Sequence, residues 1–409
     1  MSVTGIICEY NPFHKGHQYH IQKAREVTGA DTIVAVMNGD FVQRGEPAIV
    51  DKYTRTKMAL EGGADLVFEL PVRYGVSSAE DFAYGGILAL ESLGFVDQYC
   101  FGSEAVEQQL LVEAGQYFAN ESQDYKDALG KALRQGLSYP AAREQAFREK
   151  VGRHEPERWT EEVVKALFSP NNILALEYMK AAEKLGSSMK SVAIQRCGMG
   201  YHERLEGRKI GDEECFLSAT AIRELLLENG ETMTGMSEEC LTCLAEVPYR
   251  LTAQDFWGMC AYAIRDKWEE LEQYKDVSEE LAGAFRKSWQ EAVSFSDFVN
   301  RCKTKNITMS RVKRGVFQVL LDVKKQKERS EKLPYLRLLG MRQEAAPLLG
   351  EISDTVLIGR VAKDKQKLTA GASELFEQDI RAADIYRNVA MAKAGVILPA
   401  EYQRPVILV

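Results

Sequence analysis

The chain has 409 residues, 45% hydrophobic and 27% charged, so it is long enough for two packed cores and too apolar for a disordered protein. Its net charge of −8 excludes indiscriminate nucleic-acid binding, and its eight scattered cysteines fit reduced thiols better than a disulfide framework. Met1-Ser2-Val3-Thr4 leads straight into an apolar strand pattern, unlike a signal peptide, and no window holds the roughly twenty apolar residues of a membrane span; a cytoplasmic protein with no membrane partner is expected.

In chain order, β-branched runs at Thr4–Cys8, Thr32–Met37, Asp65–Leu70, Gln98–Phe101 and Ser191–Gln195 read as strands. Helical patterns fall between them at His17–Val27, Lys52–Gly62, Glu80–Leu93 and Asn172–Lys184. This alternation predicts an α/β fold, a Rossmann-like domain with a parallel sheet covered by helices, over residues 1–230. The charged helical stretch at about 104–169 reads as an insertion. A helix after Phe216-Leu217-Ser218 runs to Asn229-Gly230, and the polar stretch Glu231–Glu239 marks the domain boundary. Residues 240–409 read as a mostly helical second domain, with a small strand at Thr355–Ile358 and an apolar tail at Val406–Val409.

The strongest chemical signal is Asn11-Pro12-Phe13-His14-Lys15-Gly16-His17, between the first strand and the first helix. An open α/β sheet binds ligands at the carboxyl ends of its strands, and a helix start presents N–H groups and a positive dipole end to phosphate. Gly16 lets the backbone approach closely, Lys15 adds charge, and the imidazoles of His14 and His17 can donate to phosphoryl oxygens as charge builds. The plain alternative is that both histidines cap or pack. Three of the five histidines, His14, His17 and His20, lie within seven residues, which also admits a metal site, but only Glu9 is near enough to add a ligand and no metal is expected there. Cys240 and Cys243 form a lone C-x-x-C without the second ligand pair that zinc needs.

Ser218-Ala219-Thr220-Ala221-Ile222-Arg223 is a second signal: hydroxyls that cap a helix and bind phosphate, with Arg223 as a polyphosphate clamp. Asp40, Gln43 and Arg44 follow the second strand, with Asp40 either a proton acceptor or part of an Asx-turn at Asn38-Gly39-Asp40. Lys52, Arg55 and Lys57 read either as site cations or as a solvated helix face. Ten Lys or Arg crowd residues 301–330 against Asp322 and Glu328, a basic island that suggests one anionic partner. Val312, Val316, Val319, Leu320 and Val323 form an apolar stripe there, with Arg311, Arg314 and Lys325 opposite.

H-x-G-H early and S-x-T-x-I-R late resemble the nucleotidyltransferase superfamily, although Ala219 and Ala221 leave the second motif spare in hydroxyls. More closely, Gly5–His17, Met37–Ala48 (N-G-D-F-V-Q-R-G-E-P-A), Phe101–Glu104, Ser169–Leu174 (P-N-N-I-L), Lys305–Lys313 and Tyr335–Gly340 resemble the bacterial tRNA(Met) cytidine acetate ligase family over nearly the whole chain. That resemblance implies activation of acetate by ATP to acetyl-adenylate, then acetyl transfer to the wobble cytidine of elongator tRNA(Met). It implies RNA and not DNA as the nucleic-acid partner, with Mg²⁺ accompanying ATP. It carries His14 and His17 over as catalytic, and an ATP site over Ile7, Cys8, Glu9, Tyr10, Asn11, Pro12, Phe13, His14, Lys15, Gly16, His17 and His20, completed by Gly102, Asn172 and Arg196. Ser218, Thr220 and Arg223 join this site by their motif. Gly102 reads equally as a turn glycine and Arg196 as a surface charge. The expected RNA contacts are Lys305, Arg311, Lys313, Arg314 and Lys325. Two rivals remain open: a small-molecule adenylyltransferase, and a nucleotide-binding RNA adaptor without chemistry.

Overall fold

A computed structural model describes residues 1–104, 107–195, 216–229, 235–326 and 329–409. Five strands form the parallel part of one sheet: β1 (Val3–Cys8), β2 (Thr32–Asn38), β5 (Leu66–Leu70), β6 (Gln98–Ser103) and β7 (Lys190–Gln195). Between β2 and β5 a two-stranded hairpin, β3 (Phe41–Val42) and β4 (Glu46–Pro47), stands apart from the sheet. The order β5-β2-β1-β6-β7 reverses direction of growth at β1 and β6, which makes their carboxyl ends the crevice of an open α/β sheet. All five strands and four covering helices were legible in the sequence: Lys15–Thr28, Lys52–Glu61, Ala79–Leu93 and Pro170–Leu185 agree to within two residues. Residues 104–169 carry four helices packed beside the Pro170–Leu185 helix around Phe118, Phe147 and Trp159.

The C-terminal region is mostly helical, with the expected small strand at Val356–Ile358, but it also holds a strand that was not expected. The chain re-enters the sheet as β8 (Tyr335–Met341), antiparallel to β5, and β8 pairs with β9 (Val356–Ile358) and β10 (Ile407–Leu408). Tyr335-Leu336-Arg337-Leu338-Leu339-Gly340 shows no period-two alternation because the strand is buried on both faces, and the buried Arg337 disguises its apolar run. The sheet is therefore not confined to residues 1–230. Helices between residues 253 and 321 gather instead around Phe285, Phe298 and Phe317 in a separate core.

The Lys52–Glu61 helix corrects a second expectation. Lys57 is half-exposed, but Lys52 and Arg55 are buried, at 1% and 0% exposure, so the helix has no continuous solvated basic face. Lys52 Nζ meets Glu69 at 2.8 Å and Glu401 at 3.1 Å, and Glu401 also accepts from the Tyr53 hydroxyl at 2.7 Å. A buried charge persists only when it is paired and hydrogen-bonded. Lys52→Met should therefore lower unfolding free energy by about 3–5 kcal/mol, the cost of stranding buried carboxylates. Lys57→Met, which breaks only an exposed pair with Glu246, should cost under about 1 kcal/mol. Urea denaturation distinguishes them; equal losses would refute the buried network.

Candidate functional site

The loop after β1 turns into the Lys15–Thr28 helix at His14, which is the helix N-cap. His14 Nδ1 accepts the Gly16 N–H at 3.0 Å, which fills that nitrogen and leaves the hydrogen of the neutral ring on Nε2. The capping alternative and the functional one are thus the same geometry: capping fixes the tautomer that donates. His17 lies 3.7 Å from His14, ring centre to ring centre, and Tyr10 and Phe13 pack behind it at 4.9 and 5.7 Å. Gly16 is required by space, since a Cβ there would lie 2.8 Å from His14 Cε1 and 3.3 Å from Phe216 Cβ.

The Ser218 segment comes to this turn from far along the chain. Ser218 Oγ accepts the Ala221 N–H at 3.2 Å, capping the Ala219–Asn229 helix as its motif predicts. Arg223 donates to the Asn11 carbonyl at 2.7 Å and to Thr220 Oγ1 at 3.2 Å, and Phe216 lies against Tyr19. Two capped helix starts, two imidazoles, Lys15, Thr220 and Arg223 therefore share one locus, a combination suited to polyphosphate. Lys15 itself is exposed and His20 is half-buried one turn along.

Other expected residues have different positions. Ile7 and Cys8 close β1; Ile7 packs on Gly86, and burial pushes the Cys8 thiol pKa upward. Glu9 is half-buried; desolvation raises its carboxyl pKa against the pull of Arg44 and Arg223, and its Oε1 accepts the Gln43 N–H at 3.0 Å. Asn11, Pro12 and Phe13 are buried, with Asn11 Oδ1 accepting the Ile49 N–H at 2.8 Å. Gly102 ends β6 across the crevice from β1. Asn172 is fully buried and its amide is spent: Oδ1 accepts from Ser103 Oγ and Glu104 N, and Nδ2 donates to the Glu104 and Ala166 carbonyls. It holds the end of β6 in place. Arg196 lies outside the described residues.

The sequence reading left Arg55 ambiguous. Its guanidinium donates to the carbonyls of Glu9 at 2.7 Å, Asn38 at 3.0 Å, Val50 at 3.2 Å and Gly39, clamping the loops after β1 and β2 together. Its spacing from Lys52, i and i+3, was the available signal for a shared inward face. Asp40 makes no isolated turn: Oδ1 accepts the Lys52 N–H at 2.7 Å, and burial pushes its pKa up to about 7.

The basic island is a helix, Met309–Leu321, seated by Val312, Val316, Val319 and Leu320. Lys305 is exposed. The other cations have protein partners: Lys313 pairs with Glu46, Arg314 with Asp276 at 2.7 Å, Arg311 donates to the Asp276 carbonyl, and Lys325 to those of Glu272 and Val277. The hairpin β3–β4 docks on this helix through Gly45, whose φ is +73° and whose absent Cβ would lie 2.3 Å from Arg314 N. The buried Cys240 and Cys243 lie on the Glu238–Ala245 helix within an apolar cluster.

The HIGH Nucleotidyl Transferase family profile matches residues 1–396. Proteins named tRNA(Met) cytidine acetate ligase from Clostridium kluyveri and Thermoanaerobacter pseudethanolicus are each 37% identical, over 98% of this chain and 98% and 99% of theirs. Crystal structures of Thermotoga maritima TmcAL are similar at 28% identity: the form bound with alpha-thio ATP at a TM-score of 0.88 and the apo form at 0.90, each covering 100% of this chain and at least 99% of theirs.

The cap geometry makes a direct prediction. Long-range ¹H–¹⁵N spectra of histidine-labelled protein near pH 8 should show His14 as the Nε2–H tautomer, and Gly16→Ala should shift its signals. A His14 protonated on Nδ1 would contradict the assigned hydrogen bond.

Proposed function

We infer the reaction from one premise: the chain belongs to the tRNA(Met) cytidine acetate ligase family, among the HIGH nucleotidyl transferases. The protein is an ATP-dependent ligase that modifies tRNA. An acetate oxygen attacks the α-phosphorus of ATP, the bond to the bridging oxygen breaks, and acetyl-adenylate and pyrophosphate form. The exocyclic N4 of the wobble cytidine in elongator tRNA(Met) then attacks the acetyl carbonyl. AMP leaves, N4 loses a proton, and N4-acetylcytidine results.

The observation that carries the residue assignment is the His14 cap, because it occupies Nδ1 and leaves the hydrogen of the neutral ring on Nε2 at a helix start. In this reading His14 and His17 donate to the α-phosphate oxygens as negative charge develops, where preorganised donors are worth most. Lys15, Ser218, Thr220 and Arg223 hold the β- and γ-phosphates, and Arg223 keeps the two segments in register through its bond to Asn11. Residues Ile7 to His20 together with Gly102 line the nucleotide, while Asn172 positions the β6 end. Mg²⁺ would be held by the ATP phosphates and would neutralise part of their charge. Glu9, the carboxylate in the loop, is half-buried with Oε1 already accepting a backbone N–H, so it does not fit as its ligand.

The RNA side of the proposal places Lys305, Arg311, Lys313, Arg314 and Lys325 along the tRNA backbone, where cations give affinity and position but little sequence choice. Residues 240–330 then act as the tRNA-contacting part, and residues 1–230 as the ATP-binding part. None of the helices among the described residues is long and apolar enough to cross a membrane, and the substrates place the enzyme in the cytoplasm.

The test is pyrophosphate release from ATP with and without acetate and bulk tRNA. Wild type should release pyrophosphate dependent on acetate and place labelled acetate on tRNA. His17→Ala and Arg223→Ala should each lower the rate by about 10²–10³-fold, the loss seen when one preorganised donor is removed. Release independent of acetate, or AMP left on an acceptor, would point to an adenylyltransferase. ATP binding without release would point to an adaptor, and full activity of His17→Ala would overturn its catalytic assignment.

A further inference from the structure

Acetyl transfer needs a proton acceptor, because N4 must shed a hydrogen as its bond to the acetyl carbon forms. Glu9 is the first residue beyond β1, at the crevice formed by the carboxyl ends of the strands, and it opens the loop that carries His14. A carboxylate is a poor lining for a polyphosphate, since like charges repel. Its bond to the Gln43 N–H does not by itself require a charge, because a neutral amide oxygen would accept that hydrogen as well. The negative charge at this position therefore calls for a task other than gripping ATP or bracing the loop.

The carboxylate is held in one direction. Arg55 donates to the Glu9 carbonyl at 2.7 Å, and Tyr10 next to it stands at φ +47°, a conformation that non-glycine residues keep only where their surroundings impose it. Oε1 accepts the Gln43 N–H at 3.0 Å, which turns the carboxylate toward the β3–β4 hairpin. Gln43 Nε2 donates to the Ser77 carbonyl at 3.1 Å, so the hairpin tip is itself anchored. The same hairpin reaches the Met309–Leu321 helix, where Glu46 pairs with Lys313 and Gly45 lies against the Arg314 backbone. Glu9 thus stands where the nucleotide loop meets the hairpin that leads to the basic helix, between the parts assigned to the two substrates.

Other carboxylates on this rim are committed. Glu46 is paired with Lys313, and Glu104 accepts from the Asn171 amide. Asp51 caps the Lys52–Glu61 helix and accepts from the Tyr249 hydroxyl at 2.9 Å. Asp40 is buried and accepts the Lys52 N–H. Glu9 differs from them: it is half-buried, and its Oε2 takes no hydrogen bond or ion pair among the described residues. Desolvation raises its carboxyl pKa, although Arg44 and Arg223 oppose the rise. A carboxylate shifted in that direction holds a proton more readily than an exposed one, and proton transfer is most efficient when the base titrates near the working pH.

We propose that Glu9 is the general base of acetyl transfer, its Oε2 taking the proton from N4 of the acceptor cytidine. This rests on the reading that acetyl-adenylate and tRNA are the reactants. N4 bonds to the acetyl carbon, one N4 proton passes to Glu9, and the carbon–oxygen bond to the phosphate breaks, so that AMP departs with the electron pair. Glu9 then returns the proton to solvent. Acetate, by contrast, attacks ATP as an anion with no proton to lose, so the first step gives Glu9 no proton to take. The two half-reactions therefore separate its role from that of His14 and His17.

The experiment uses the full chain and measures each half-reaction alone. Acetate-dependent exchange of pyrophosphate into ATP reports the first step; single-turnover transfer of labelled acetyl from synthetic acetyl-adenylate to unmodified tRNA(Met) reports the second. Glu9→Gln keeps an acceptor for the Gln43 N–H and removes the base. It should slow transfer by about 10²–10⁴-fold, the usual worth of a positioned base, and exchange by less than about tenfold. Glu9→Asp, which keeps a carboxylate on a shorter stem, should recover part of the transfer rate. A base acts only when deprotonated, so wild-type transfer should rise with pH as Glu9 titrates and then level, and Glu9→Gln should lose that rise. Transfer by Glu9→Gln within about threefold of wild type, or an unaltered pH profile, would overturn the proposal. Equal losses in exchange and transfer would also overturn it and make Glu9 a support of the nucleotide loop. Failure of wild type to move acetyl from acetyl-adenylate to tRNA would instead refute the ligase reading beneath it.

Discussion

Arg55 is the constraint on which the site depends. Its guanidinium has no exposure, and it donates to carbonyls of Glu9, Asn38, Gly39 and Val50. Those of Glu9, Asn38 and Gly39 lie at the ends of two neighbouring parallel strands, where sheet hydrogen bonding stops and backbone groups need other partners. A planar cation with five donors meets that demand with one side chain and locks both loops at once. The loop that carries His14 therefore begins from a fixed carbonyl, while Arg223 holds its middle through Asn11.

Rigidity at the rim has a counterpart deeper in the fold. Lys52, on the same helix as Arg55, is enclosed by Glu69 from β5 and Glu401 from the chain's end, and Arg337 from β8 joins them through Tyr53. Such a network adds little stability relative to a packed apolar core, but it penalises any arrangement that separates its members. Residues near the C-terminus are thus tied to the helix that organises the nucleotide loops. Re-entry of the chain as β8 makes this possible, because an antiparallel strand beside β5 brings Arg337 to the interior face.

The hairpin β3–β4 links the two halves of the protein. Glu9 accepts from Gln43 on one side of it, and Gly45 rests on the backbone of the Met309–Leu321 helix on the other. A residue with a Cβ at position 45 would meet Arg314 N and be strained at φ +73°, so the glycine in N-G-D-F-V-Q-R-G-E-P-A is a docking requirement. A change of a few tenths of an ångström at the basic helix would be felt at Glu9 through two contacts. The Met309–Leu321 helix and the loop after β1 share one connection.

Local patterning by itself determined the five parallel strands, the four covering helices, the helical insertion and the H-x-G-H turn, because each is written in neighbouring residues as period, cap or breaker. The His14 cap was legible for the same reason: it is a bond between residues two apart. Tertiary structure alone decided which charges face inward. Lys52, Arg55 and Arg337 look like solvated cations until carboxylates and carbonyls from distant segments close on them, and Asn172 looks like a ligand contact until four local groups consume its amide. The strand at Tyr335–Met341 escaped detection because burial on both faces erases alternation. The ion pairs of Glu80 and Asp81 with Lys180, Lys275 and Arg329 join four separate segments, so no window of sequence contains them. Spacing along the chain encodes contacts made within a helix or a turn; partners many residues apart are chosen only when the core closes.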